Sequence, residues 1–268
     1  MTAKFGFIGC GNMGGALASA VAKTVGGANI LLCDRFSEKV ESLAMSTGAR
    51  ASSVAEIAET CDFIFLGVKP QGFESLFTEL SPCLRTRGTP FVLVSMAAGI
   101  SIGAVEKMAD MQVSVIRIMP NTPVSVGEGM ILYCANDRVS EDQIATFCTA
   151  LSKAGTLDAI PEDKIDAASA LSGCGPAFVY LFAEALADGA VSCGLARDKA
   201  NLYAAQTLVG AAELLLQSGR HAGELKDAVC SPGGTTIAGV RALEQGGFRA
   251  SAMNAVIAAY EKTLMLKK

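Results

Sequence analysis

The sequence predicts an α/β fold: a parallel sheet covered by helices over the first part of the chain, then an all-helical segment over the rest. Three observations predict it. The apolar run Lys4 to Gly14, KFGFIGCGNMG, flows directly into Gly9, Gly11 and Gly14, spaced G-x-G-x-x-G, and so reads as strand, tight turn and helix start. Short apolar runs then alternate with helix-spaced apolar stripes, the pattern of a parallel sheet with helices on both faces. From about Glu162 the strand-like runs stop and alanine-rich helical spacing continues to the end. The expected division is 1–161 and 162–268.

Taken in order, Met13, Leu17, Val21 and Val25 line one face of the first helix, and Asn29 to Cys33 reads as a second strand. A helix from Ser37 to Thr47 and a short one around Val54 to Glu59 lead to Asp62 to Val68, apolar almost throughout as a central parallel strand is. Phe73, Leu76, Phe77 and Leu80 form a helical stripe that should end near Pro82. Strands at Phe91 to Ser95 and Val113 to Ile118 flank a helix from Ser101 to Met108, and further strands are expected near Met130 to Cys134 and Thr156 to Ile160. In the second segment, helices are expected around Phe178 to Gly189, Leu202 to Leu216, Thr235 to Gln245 and Ala250 to Leu266. Several are apolar on more than one face, which predicts burial against a second copy of the chain.

Composition narrows the function classes. Hydrophobic residues make up 51% against 18% charged, which excludes a disordered chain. The net charge of −4 offers no basic face for nucleic acid. Glu184, Asp188 and Glu213 interrupt the most hydrophobic windows, so no bilayer span is expected, and the first strand begins too early to leave room for a signal peptide. Nine scattered cysteines with no C-x-x-C pair indicate neither a disulfide framework nor a zinc site, and fit a reducing cytoplasm. With His221 as the only histidine, between Gly219 and Gly223, chemistry that needs an imidazole or a metal is disfavoured.

The glycine turn is a dinucleotide signature. Gly9 makes the turn, Gly11 lets the backbone approach a pyrophosphate, Gly14 lets helix and strand pack closely, and the first helical amides face the phosphates. Asp34 follows Gly14 at the distance where such folds place a ribose contact, but Arg35 stands beside it. An acid favours a free 2′-hydroxyl and an arginine a 2′-phosphate. Four other loops carry unusual residues. Gly67, Val68, Lys69, Pro70 and Gln71 leave a central strand at the carboxyl edge of the sheet. Arg117 to Pro123, RIMPNTP, is a polar turn stiffened by two prolines. Leu171 to Pro176, LSGCGP, permits close helix packing or close approach of a ligand. Ser231 to Thr236, SPGGTT, offers hydroxyls and free amides at a helix start, which fits a small carboxylate or an ordinary cap.

Together these stretches resemble the pyrroline-5-carboxylate reductase family over almost the whole chain: GCGNMG at Gly9 to Gly14, VKPQ at Val68 to Gln71, RIMPNTP, LSGCGPAF at Leu171 to Phe178 and LKDAVCSPGGTT at Leu225 to Thr236. The resemblance implies an N-terminal Rossmann domain and a C-terminal helical domain interlocked with a partner subunit, the dimers commonly gathered into a decamer. It implies hydride transfer from NAD(P)H to the C=N carbon of L-1-pyrroline-5-carboxylate, giving L-proline. By the same resemblance Ser231, Gly234 and Thr235 hold the substrate carboxylate and the hydroxyl of Thr236 contacts the ring nitrogen. Ile8, Gly9, Cys10, Gly11, Asn12, Met13 and Gly14, with Asp34 and Arg35, hold the cofactor. Gly67, Val68, Lys69 and Pro70 border the nicotinamide, Met96, Ala97 and Ala98 line the same pocket, and Glu162 is a further cofactor contact. Cys174 stands where many members have serine, and Cys230 lies beside the carboxylate loop.

A cyclic imine arrives already protonated from water, so a protein that reduces it needs no strong acid, which suits a chain with one histidine. Two rival readings are a β-hydroxyacid dehydrogenase and a non-enzymatic dinucleotide sensor. The first looks for a lysine where this chain has Phe178, Glu184 and Asp188; the second has no reason to keep SPGGTT. Arg35 tips the expected cofactor toward NADPH, with NADH as the alternative.

Overall fold

The structure is a computed structural model that describes residues 3–266; positions 1–2 and 267–268, at the outer ends of the two expected ranges, lie outside it. The chain forms two compact units. One comprises residues up to Gly173 together with the stretch from Tyr260, and the other is Cys174–Ala259.

The first unit is built on an eight-stranded sheet of β1 (Phe5–Ile8), β2 (Ile30–Cys33), β3 (Arg50–Ala51), β4 (Phe63–Leu66), β5 (Val92–Ser95), β6 (Ser114–Met119), β7 (Gly129–Ala135) and β8 (Gly155–Ala159). The spatial order is β3-β2-β1-β4-β5-β6-β7-β8, so the winding reverses between β1 and β4. β1 to β6 are parallel, as the alternation predicts, but β7 runs antiparallel to β6 and carries β8 with it. The link over residues 120–128 holds one 3-10 turn, Thr122–Val126, and is too short for the crossover that a parallel partner needs. The sequence pattern cannot register this, because a buried strand looks the same in either direction.

Side-chain alternation divides the core into two layers. Phe5 and Phe7 on β1 stack on Phe63 and Phe65 of β4, with ring centroids 5.2 and 4.4 Å apart. Leu17 and Val21 of α1 (Asn12–Val25) and Phe147 of α6 (Glu141–Ala150) cover them. Ile8, Ile64, Leu66 and Leu93 face the other way, against Ile57 of α3 (Val54–Thr60), Phe77 and Leu80 of α4 (Phe73–Thr86) and Val105 of α5 (Ile102–Ala109). Helix α2 is Ser37–Thr47, as its pattern predicts.

Two departures from the sequence pattern are instructive. Helix α6 lies outside the elements that the apolar pattern predicts, although Ser140 and Gln143 form a reciprocal capping box at its start, at 3.2 and 2.9 Å. Helix α4 does not stop near Pro82 but continues to Thr86, with Pro82 inside it. Proline removes one donor and crowds the carbonyl four residues back. The stripe Phe73, Leu76, Phe77, Leu80 and Leu84 stays buried on the sheet and outweighs that penalty.

Helix α7 (Ile165–Ser172) closes the first unit, and the second holds α8 (Gly175–Ser192), α9 (Arg197–Ser218), α10 (Ala222–Ala228), α11 (Thr235–Gln245) and most of α12 (Phe248–Leu266). The core of the α8/α9 hairpin is small: Ala187, Ala200 and Ala204, flanked by Ala190, Val191 and Leu195. The large side chains point outward instead, with Tyr180, Leu181, Leu202, Tyr203 and Leu216 more than half exposed. The stretch Glu162–Ser192 is long and apolar enough to cross a membrane by length and composition, against the expectation drawn from its interrupting charges. Glu184 and Asp188 break the run but leave its average apolar, and the stretch is divided into α7 and α8.

Pro82 is exposed, so its replacement loses no packing. Pro82→Ala should stabilise the chain by about 2 kcal/mol: roughly 3 kcal/mol from the restored helix interior, less about 1 kcal/mol of unfolded-chain entropy. Thermal unfolding checks this; a lowered melting temperature would contradict it.

Candidate active site

Strands β1 to β6 deliver their carboxyl ends to the same edge, and the reversal between β1 and β4 opens that edge between two loops. After Ile8, Gly9 takes φ +103° and its N–H bonds the carbonyl of Cys33 at 2.7 Å. A Cβ on Gly9 would lie 2.5 Å from the Gly67 carbonyl carbon, and one on Gly14 would collide with the Gly9 carbonyl oxygen. These two glycines are fixed by internal crowding. Gly11 is different, since nothing lies within 4 Å of where its Cβ would be. Helix α1 starts at once at Asn12, with no side-chain cap and no acid in its first turn. The open space beside Gly11 and the uncapped amides of Asn12, Met13 and Gly14 fit a dinucleotide pyrophosphate. Cys10, between Gly9 and Gly11, is buried, and burial together with Asp34 pushes its thiol up to about 12, so it stays a neutral thiol.

Asp34 and Arg35 differ in their bonding. Asp34 Oδ2 accepts the Cys10 N–H at 2.7 Å and Oδ1 accepts the Phe36 N–H at 3.0 Å, so both carboxylate oxygens serve the turn itself. Arg35 is exposed, its guanidinium 4.7 Å from the Phe36 ring centroid, and the Lys39 ammonium lies 5.0 Å from the same ring. Lys39 is not distinguishable in the sequence, where a lysine on an exposed helix face carries no signal.

At the neighbouring edge position the Gly67 N–H bonds the Ile8 carbonyl at 2.7 Å, which ties β4's exit to β1's. Val68 is half-buried, Lys69 and Pro70 are exposed, and Pro70 opens a short 3-10 turn. One strand further on, Met96, Ala97 and Ala98 leave β5, with Ala97 buried and Gly99 at φ +77° turning the chain toward α5.

The RIMPNTP segment is a structural clamp rather than an open turn. Arg117 is buried, with Nη2 2.9 Å from Asp166 Oδ1 and Nη1 3.2 Å from Glu162 Oε1. Glu162 Oε1 also accepts the Ile102 N–H at 2.8 Å. Asn121 donates to the Ser172 carbonyl and accepts the Met130 N–H, each at 2.9 Å, which fixes β7 and the end of α7. These bonds hold α7 in the sheet unit, whose first stretch runs to Gly173. Asp166 was missed from sequence, where an acid on a short helix is ordinary. LSGCGP is the α7 to α8 junction, with Pro176 in the first turn of α8.

In the helical unit, the Gly234 N–H bonds the Ser231 carbonyl at 3.0 Å, and Gly233 takes φ +70°. The turn delivers the chain into α11, whose N-cap, Gly234, has no side chain to satisfy the first amides. Ser231, Thr235 and Thr236 are exposed at this terminus. Free amides with hydroxyls beside them at a helix N-terminus favour an anion. His221 lies outside both clusters; it is exposed and its Nδ1 caps α10 through the Gly223 N–H at 3.1 Å.

Residues 162–266 match the family model described as pyrroline-5-carboxylate reductase dimerisation, and residues 4–99 match NADP oxidoreductase coenzyme F420-dependent. Pyrroline-5-carboxylate reductase 3 of Danio rerio is 42% identical, over 97% of this chain and 90% of its own length. Pyrroline-5-carboxylate reductase of Escherichia coli is 37% identical over all of both chains. The crystal structure of Plasmodium falciparum pyrroline carboxylate reductase with NADP bound is similar at a TM-score of 0.87 and 35% identity, covering 99% of this chain and 98% of that one. The chain belongs to the pyrroline-5-carboxylate reductase family.

Proposed function

We propose that this chain reduces L-1-pyrroline-5-carboxylate to L-proline, the final step of proline biosynthesis, with NADPH as the preferred reductant over NADH. The observation that carries the substrate is the uncapped α11 terminus, at which Ser231, Gly234, Thr235 and Thr236 stand with exposed hydroxyls beside the first helical amides. Bound in the glycine turn, the dinucleotide supplies the hydride. Residues 1–161 serve as the dinucleotide half, with Ile8 to Gly14, Asp34, Arg35, Gly67 to Pro70, Met96 to Ala98 and Glu162 at its border as contacts. Residues 162–268 bind substrate and pair with a second subunit. The exposed apolar side chains of α8 and α9 support a homodimer through these helices, and dimers assemble further, to a decamer. Free cysteines throughout support a cytoplasmic setting.

The protein's own work is to bind and orient. Ser231, Gly234 and Thr235 fix the carboxylate at the positive end of α11, and Thr236 Oγ1 hydrogen-bonds the ring nitrogen. The iminium proton comes from water before binding, so the reduced ring keeps it as the amine. Among the described residues no cluster of acids, cysteines or histidine is arranged to hold a metal.

Thr236→Ala should lower kcat/KM for pyrroline-5-carboxylate by roughly ten- to a hundredfold, about 1.4 to 3 kcal/mol, the worth of one oriented hydrogen bond. Unchanged steady-state kinetics would remove Thr236 from the mechanism.

Asp34 is engaged by the Cys10 and Phe36 amides, whereas the exposed Arg35 and Lys39 lie against the Phe36 ring. Arg35→Ala should therefore raise KM for NADPH by about tenfold, the worth of one charge-assisted bond to a 2′-phosphate, and leave KM for NADH nearly unchanged. Equal effects on the two cofactors would contradict the NADPH preference.

A further inference from the structure

A buried guanidinium needs one carboxylate for charge balance, and Arg117 has two. Asp166, which is 2% exposed, meets that need within the core at 2.9 Å. Glu162 is a different kind of partner. Its side chain is 35% exposed, and it brings a second negative charge to a cluster already neutral. The same oxygen, Oε1, receives both Arg117 Nη1 and the N–H of Ile102, the first residue of α5. The neighbouring thiol of Cys134 is pushed up to about 11, chiefly by burial and then by Glu162, so it adds no charge.

The position of this contact in the chain gives it a purpose. Arg117 and Ser95 are in register on adjacent parallel strands, at the point where β5 ends and Met96 begins. Glu162 grips the far end of the same loop at Ile102, beside the Ser101 cap that accepts the Ala104 N–H at 3.2 Å. Between these two anchors run Met96 to Ile100, which pack through Ala97 on the core and have a long bond from the Ile100 N–H to the Ala97 carbonyl at 3.4 Å. With so little internal bonding, the course of the loop depends on its ends.

We propose that Arg117 is a positioning residue: by holding Glu162 on the first amide of α5 it sets the course of the Met96–Ile100 loop and thereby the pocket for the nicotinamide. Asp166 anchors Arg117, and Glu162 is the group it positions. This rests on the functional reading above only in assigning that loop to the cofactor; the clamp itself is independent of it.

The test uses the full chain, as wild type, Arg117→Lys, Glu162→Gln and the double variant. Lysine keeps the charge but cannot fork between two carboxylates, and glutamine keeps an acceptor without the charge. In the cofactor-free protein, hydrogen exchange in the segment containing Ile102 should quicken about tenfold in each single variant, the worth of one charge-assisted bond, while β1 and β4 keep their protection. NADPH affinity, read by fluorescence titration, and kcat/KM should each fall about tenfold in the single variants. They should fall no further in the double variant, because one residue acts through the other. Quickened exchange throughout the sheet, unchanged exchange at Ile102, or losses that multiply in the double variant would each overturn the proposal. Glu162 is partly exposed, so Glu162→Gln alone decides the matter should Arg117→Lys fail to fold. Wild type that binds NADPH yet does not oxidise it with pyrroline-5-carboxylate would refute the functional reading and leave the exchange result to judge the clamp.

Discussion

Two backbones meet at Gly9 and Gly67 with no side chain between them, and the geometry of the sheet edge depends on that contact. The hydrogen bond from the Gly67 N–H to the Ile8 carbonyl locks the exits of β1 and β4 together where the winding reverses. A Cβ at Gly9 would strike Gly67, and one at Gly67 would lie 2.6 Å from the Gly9 carbonyl oxygen. Because the exits are held this close, α1 begins at Asn12 with its amides turned to the edge, and Asp34 is drawn in to accept the Cys10 N–H. Stacked phenylalanines beneath keep the two strands in register.

The second unit follows a different rule. Its hairpin core is alanine, which brings α8 and α9 close together, and its leucines and tyrosines face outward. Such a distribution leaves a helical hairpin short of buried area by itself. It is the distribution expected of a segment that completes its core with another copy, in agreement with the dimerisation family that residues 162–266 match. The same apolar excess makes Glu162–Ser192 pass as a bilayer span by composition, which shows how little composition distinguishes a subunit face from a lipid face.

Much of this was legible in the sequence, for identifiable reasons. The sheet edge was readable because glycines at fixed spacing have steric causes, and those at Gly9 and Gly14 are visible in the crowding around them. The strands of the first half were readable because burial on both faces leaves unbroken apolar runs. What escaped is what depends on partners distant in the chain. The direction of β7 depends on the length of its link, the survival of α4 past Pro82 on the sheet beneath it, and the burial of Asp166 on an arginine 49 residues away. The bonding of Asp34 likewise could not be read from spacing, since it depends on the Cys10 and Phe36 amides reaching the carboxylate. SPGGTT was read from its residue types, and the structure adds that the helix it opens lacks a side-chain cap.

The central claim is that one hydride passes to the imine carbon of a carboxylate-bearing ring, with water as the source of the nitrogen proton. NADPH carrying deuterium at the transferable position of nicotinamide C4, incubated with the wild-type chain and pyrroline-5-carboxylate, tests it most directly. The expected result is proline formed in equal amount to NADPH consumed, with one deuterium on the carbon that had been doubly bonded to nitrogen. Cofactor oxidised without labelled proline, or proline bearing only solvent hydrogen at that carbon, would contradict it.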